Sequence, residues 1–290
     1  MQVLKSVFNF YINSSIHVAL AVYALLRITE IYLDVPYNSN LNYFIFFGTI
    51  TGYNFVKYAG VAKLHHKSLT DSLKVIQIFS LLCFIAMCYF AYQVAINTLL
   101  FTLPFTLLTI LYAVPFLSGF HKTLREVSYL KIVVVALVWA GFTVLIPIID
   151  SAIVLTFKTY LLMLQRFLLV VVLILPFDIR DVKYDAISLQ TIPKKIGIEK
   201  TKRLGLMVMV FCLILEYLMS TTNTMQTPFM LFFFLVILFL MRAKIEQPNY
   251  YSSFFVLLSS PATTNALAAF FGGLVVANMC AGFRGYNQPF

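Results

Sequence analysis

The sequence predicts an all-α, polytopic membrane protein of nine helices in a single integral domain, residues 1–290. Two observations carry that reading. Hydrophobic residues make up 61% of the chain and charged residues 11%, with mean hydropathy +0.90, a surface no soluble domain can cover. The apolar residues are also gathered into runs near the ~20 that cross a bilayer. Taken in order, the runs are 8–26, 41–56, 73–94, 99–117, 130–149, 157–177, 204–219, 228–241 and 262–280.

The first run follows seven residues and contains Asn13, Ser14, Ser15 and His17. That polarity is a poor match to the uniform apolar core of a signal peptide, so it reads as a mature membrane helix. The second run is short and ends at a basic stretch with Lys57, Lys63, His65 and Lys67. Runs three and four are long and carry no charge beyond Lys74 at the start of run three. Run five carries Trp139, run six Arg166 and run seven Glu216, where a structural Arg166–Glu216 ion pair is expected because an unpaired charge at that depth is costly. Run eight is short. Run nine holds the pair Gly272 and Gly273, which suits close helix packing.

The net charge is +10, and its distribution matters more than its size. Arg27, Lys158 and Arg284 fall on one face and Arg166 inside run six; all the other Lys and Arg fall on the opposite face. By the positive-inside rule the N-terminus is cytoplasmic and the C-terminus outside. The basicity is therefore topology, with none of the interleaved aromatics and base-reading groups of a nucleic-acid binder. Cys83, Cys88, Cys212 and Cys280 all sit in apolar runs without metal-ligand spacing and read as small hydrophobes.

Charged loops concentrate on the cytoplasmic face, at 57–72, 118–129 and 178–203, so a polar site should open there. The last of these begins FDIRDVKYDAISLQTIPKKIG, Phe177–Gly197. On a helix at about 100° per residue, Asp178, Asp181 and Asp185 fall within roughly 60° of one another. Such an array repels itself unless cations join it, and Arg180, Lys183, Lys194 and Lys195 lie in the same segment.

This segment resembles the second aspartate-rich motif of the UbiA superfamily of intramembrane prenyltransferases: a D-x-x-D-x-x-x-D run, then a Thr-apolar-Pro segment and a glycine, matched by Asp178, Asp181, Asp185, Thr191, Pro193 and Gly197. The helix count and the LYAVP…LRE stretch from Leu111 to Glu126 are similar to the family too. The resemblance implies a nine-helix UbiA-like bundle in a membrane, with the bacterial inner membrane as the expected location. It implies Mg2+ as cofactor and a prenyl diphosphate and a lipid-soluble, quinone-precursor type of acceptor as substrates. Asp181 and Asp185 would hold Mg2+, Asp178 would be a further ligand or outer acceptor, and Arg180, Lys183, Lys194 and Lys195 would donate to diphosphate oxygens. The chemistry is coherent, because Mg2+ held by carboxylates offsets the charge that builds on a leaving group of about three negative charges.

The chain departs from the family at the first motif, N-D-x-x-D-x-x-x-D. The matching segment is NFVKYAGVA, Asn54–Ala62, which keeps Asn54 and replaces the aspartates by Phe55, Tyr58 and Ala62. Two readings follow. In one, Lys57, Tyr58 and Lys63 bind the diphosphate and a single Mg2+ suffices; in the other, catalysis is lost and the protein binds an isoprenoid or quinone, or scaffolds partners. Asn13 and His17, four apart on one helix face, are candidates for an acceptor pocket or for an interhelical hydrogen bond. A transporter is disfavoured by the lack of repeated halves.

Overall fold

The computed structural model describes residue 7 and residues 10–58, 71–113, 130–182 and 191–219. Among these every regular element is helical. They are α1 (Ile16–Tyr32), α2 (Ser39–Tyr58), α3 (Asp71–Gln93), α4 (Ile96–Ala113), α5 (Leu130–Ala140), a π turn (Gly141–Leu145), α6 (Ile146–Asp150), α7 (Phe157–Asp181), α8 (Ile192–Ile196) and α9 (Ile198–Met219). The runs expected at 228–241 and 262–280 lie outside the described residues.

Four of these stretches are long and apolar enough to cross a membrane: Leu73–Gln93, Ile96–Ala113, Leu130–Asp150 and Phe157–Pro176. The α5–α6 and α7 spans are mostly buried and form the centre, while α3 and α4 present most of their apolar surface outward, as lipid-facing helices do. The core gathers Leu26, Trp139, Ile146, Val170, Leu173, Ile174, Leu175 and Ile179, with α7 packed against α5 and α9 and α2 against α1 and α3.

Several boundaries differ from those the apolar runs suggest, each for a local reason. The first run is not one helix: residues 10–13 are helical, the chain turns at 14–15 with Ser15 at φ 62, and α1 then continues to Tyr32. It extends past residue 26 because Arg27 and Glu30 pair with each other and Thr29 Oγ1 donates a hydrogen bond to Leu25 O at 3.1 Å. At the start of α2, Asn38 Oδ1 accepts from the Asn40 and Leu41 amides. Its Nδ2 reaches Asp150 Oδ2 at 2.8 Å, and Thr98 Oγ1 reaches Asp150 Oδ1 at 2.9 Å, so one carboxylate joins the ends of α2, α4 and α6.

The π turn inserts its extra residue where α4 and α5 meet. A β-carbon at Gly141 would lie 2.3 Å from Phe105 Cε1, so only glycine permits the approach. Thr156 caps α7 in a capping box with Thr159, and α7 runs on through Pro176 to Asp181, beyond its apolar stretch. The Thr-apolar-Pro-…-Gly pattern then becomes one helical turn. Thr191 precedes α8, Pro193 sits in its first turn, and Gly197 ends it at φ 87, a left-handed conformation glycine tolerates. Thr201 closes the next helix onto this corner, its amide and hydroxyl donating to Gly197 O at 3.0 and 2.8 Å.

Candidate functional site

Helix direction decides which residues share an end. The start of α2 and the end of α6 meet at Asp150, so the end of α2 and the start of α5 lie at the opposite end of the bundle. There α5 meets the end of α7, where Lys131 Nζ lies 3.2 Å from Asp178 Oδ1. The Asp178 side chain is 3% exposed and that of Lys131 15%, so the pair is largely withdrawn from solvent, where such charges need each other. Asp181 is the last residue of α7, one helical turn beyond Asp178. Lys194 and Lys195 are on α8, the first half-buried and the second exposed. Arg180 lies in the final turn of α7, and Asp185, Lys63 and Lys183 fall outside the described residues.

The second group joins residues that the sequence assigned to two different tasks. Asn54, 3% exposed, uses its whole amide: Oδ1 accepts from Ser15 Oγ at 2.7 Å, and Nδ2 donates to Ser14 O at 3.1 Å and Ser80 Oγ at 2.7 Å. Lys57 Nζ donates to Asn13 O at 3.1 Å and Asn13 Oδ1 at 3.4 Å, and Tyr58 OH to Asn13 O at 3.1 Å. His17 Nδ1 lies 3.4 Å from Tyr11 O. Asn13 and His17 on one side, and Asn54, Lys57 and Tyr58 on the other, therefore form one network around the break at Ser15. Phe55 is 47% exposed.

Among the described residues no three His, Cys, Asp or Glu side chains gather as a metal centre. The donor set at the end of α7 is nonetheless of the right kind for a hard cation. Mg2+ takes oxygen ligands, and one or two carboxylates with water and phosphate oxygens suffice.

The comparisons with known proteins bear on the fold. No protein-family model matches the sequence, and no curated protein matches it. A solved structure does: a UbiA homolog from Archaeoglobus fulgidus, described as bound to DMAPP and Mg2+, aligns over 97% of this chain and 99% of its own, with a TM-score of 0.58 at 13% identity. This chain has the UbiA fold. It is an integral membrane protein built on that bundle, as its apolar helices require.

Within the UbiA fold, three contributors escaped the sequence reading. Lys131 was visible only as one of many cations on a basic face, although it is the lysine in the first turn of an apolar span. Ser15 and Ser80 carried no signal, because serine is common in membrane helices and its partner is 39 or more residues away or on another helix. The Arg166–Glu216 pair expected in the interior does not form. Arg166 donates instead to Leu25 O and Thr29 Oγ1, both at 3.1 Å, while Gln165 Nε2 reaches Glu216 Oε2 at 2.9 Å and Cys212 O at 3.0 Å. Adjacent residues on α7 point about 100° apart, so Arg166 faces α1 and Gln165 faces α9.

Proposed function

We propose that this protein is a member of the UbiA superfamily that transfers a prenyl chain from a prenyl diphosphate to a lipid-soluble acceptor, of the aromatic quinone-precursor type, within the membrane. The observation that carries the reading is the Asp178–Asp181 turn: a helix of the apolar core runs past its hydrophobic stretch to end in two carboxylates one turn apart, on the fold of a protein bound to DMAPP and Mg2+. Asp181 and Asp185 are the residues that would hold Mg2+. Asp178, already offset by Lys131, fits an outer acceptor that keeps the end of α7 in place. The bound ion supplies positive charge against the diphosphate as the allylic C–O bond breaks.

Arg180, Lys183, Lys194, Lys195 and Lys63 bind diphosphate oxygens through charge-assisted bonds. The leaving pyrophosphate takes the electron pair of the broken bond, the acceptor carbon or heteroatom bonds to the allylic carbon, and the acceptor gives up a proton. On this reading the whole of 1–290 is one domain with its N-terminus and Asp-rich segment cytoplasmic, in a bacterial inner membrane.

A second reading is favoured by one specific observation. Asn54, Lys57 and Tyr58, from the segment that would complete the site, are bonded to Asn13, Ser14, Ser15 and Ser80. A protein whose α2 end serves its own backbone can bind an isoprenoid or quinone, or scaffold partners, without transferring anything. The two readings part in one assay. Purified protein with Mg2+, prenyl diphosphates and phenolic acceptors should release pyrophosphate, and Asp181→Asn or Asp185→Asn should reduce release at least about 100-fold, the scale of losing a stabiliser of transition-state charge. Magnesium-dependent binding without release would select the second reading, and no binding by verified folded protein would sink the first.

A further inference from the structure

A helix broken inside a membrane must find partners for the carbonyls it frees. Around Ser15, 3% exposed and left-handed at φ 62, the backbone ladder lapses. Ser14 N still reaches Phe10 O and Ser15 N reaches Ile12 O, and the next bond across the turn is Ala19 N to Ser15 O. The carbonyls of Tyr11, Asn13 and Ser14 turn to side chains: His17 and the Ser14 hydroxyl for the first, Lys57 and Tyr58 for the second, Asn54 for the third.

We infer that this break is a built-in site for a primary ammonium, with Lys57 as its resident cation and the position of segment 10–15 as what that cation controls. The –NH3+ group has three donors. It meets three acceptors: Asn13 O at 3.1 Å, Asn13 Oδ1 at 3.4 Å and the face of the Tyr58 ring at 5.5 Å. Lys57 is 9% exposed, and among the described residues no carboxylate pairs with it. Its charge is balanced by carbonyl dipoles, as a monovalent cation's is at the unwound helices of transporters. At position 58, one of the three where the family-like segment would carry aspartate, the long phenol reaches Asn13 O and donates there, a bond that a short, acceptor-only carboxylate could not make. Lys57 is thus a positioning residue, and this holds whether or not the chain transfers a prenyl group.

Chemical rescue tests it. Lys57→Ala deletes three methylenes and the ammonium beyond Cβ, which propylammonium restores. In choline chloride the purified full-length variant should melt about 5 °C below the wild type, the scale of leaving buried acceptors unpaired. Propylammonium at the same ionic strength should recover at least half of that loss and leave the wild type unmoved. The neutral isostere 1-propanol should recover none, and Lys57→Met, whose methyl fills the space, should stay low in every solution. Equal recovery in 1-propanol, recovery of Lys57→Met, or a Lys57→Ala midpoint equal to the wild type's would overturn the inference. If Lys57→Ala does not fold, Asn13→Ala decides: it removes one acceptor and keeps the carbonyl, so a lowered midpoint supports the site and an unchanged one overturns it.

Discussion

Asn54→Ala is the most informative single change, because Asn54 is the one residue of the family-like first segment that this chain keeps and the structure gives it a complete set of bonds. It removes three hydrogen bonds, to Ser15 Oγ, Ser14 O and Ser80 Oγ. At the average of about 0.6 kcal/mol for such bonds between membrane helices, their loss costs about 2 kcal/mol. Ser14 and Ser15 are 0% and 3% exposed, so water cannot replace the lost partner. An unpaired carbonyl and hydroxyl add about 1–2 kcal/mol. The total of about 3–4 kcal/mol corresponds to a fall in midpoint of about 6–8 °C for a chain of this size. Thermal unfolding of detergent-solubilised protein measures it. Asn54→Asp sharpens the test: a carboxylate still accepts from Ser15 but repels Ser14 O, so it should be no more stable than the alanine variant, with or without Mg2+. A midpoint for Asn54→Ala within 1 °C of the wild type, or an aspartate variant stabilised by Mg2+, would refute the structural role assigned here.

Three other outcomes follow from the same physics. Lys131→Met should cost about 3 kcal/mol by removing the cation 3.2 Å from the buried Asp178 carboxylate, and adding Asp178→Asn should recover most of it; equal midpoints for the single and double variants in thermal unfolding would contradict the pairing. Gly141→Ala should lose about 1–3 kcal/mol through collision with the Phe105 ring, and Phe105→Leu should relieve it in the double variant, both read as unfolding midpoints. Arg166→Met should cost about 2 kcal/mol by leaving Leu25 O and Thr29 Oγ1 without their donor, while Glu216→Gln stays within about 1 kcal/mol, since glutamine still accepts from Gln165, both read as unfolding midpoints. Equal losses in the two variants would contradict these separate partners.

The helices and the class of the fold were legible because both are properties of local sequence. Apolar runs of bilayer length report burial in lipid, and the Thr191, Pro193 and Gly197 pattern reports a single helical turn whose φ 87 terminus needs glycine. Asp178 was legible for the same reason, as a carboxylate at the end of an apolar run. Its partner was not: Lys131 is 47 residues away, and nothing in a basic face marks one lysine among many. Arg166 shows the limit from the other side. Depth demanded a partner for it, but the choice between Glu216 and the Leu25–Thr29 turn depended on how α7 is rotated against α1 and α9.

The sequence by itself determined a polytopic all-α membrane protein with an acidic turn ending its sixth apolar run, since hydropathy and spacing along the chain suffice for that. Only the tertiary structure decided what Asn13, Ser15, Asn54, Lys57 and Tyr58 do together. A helix break inside a bundle frees carbonyls whose partners must come from other helices, and which helices bring them is set by packing rather than by any local pattern.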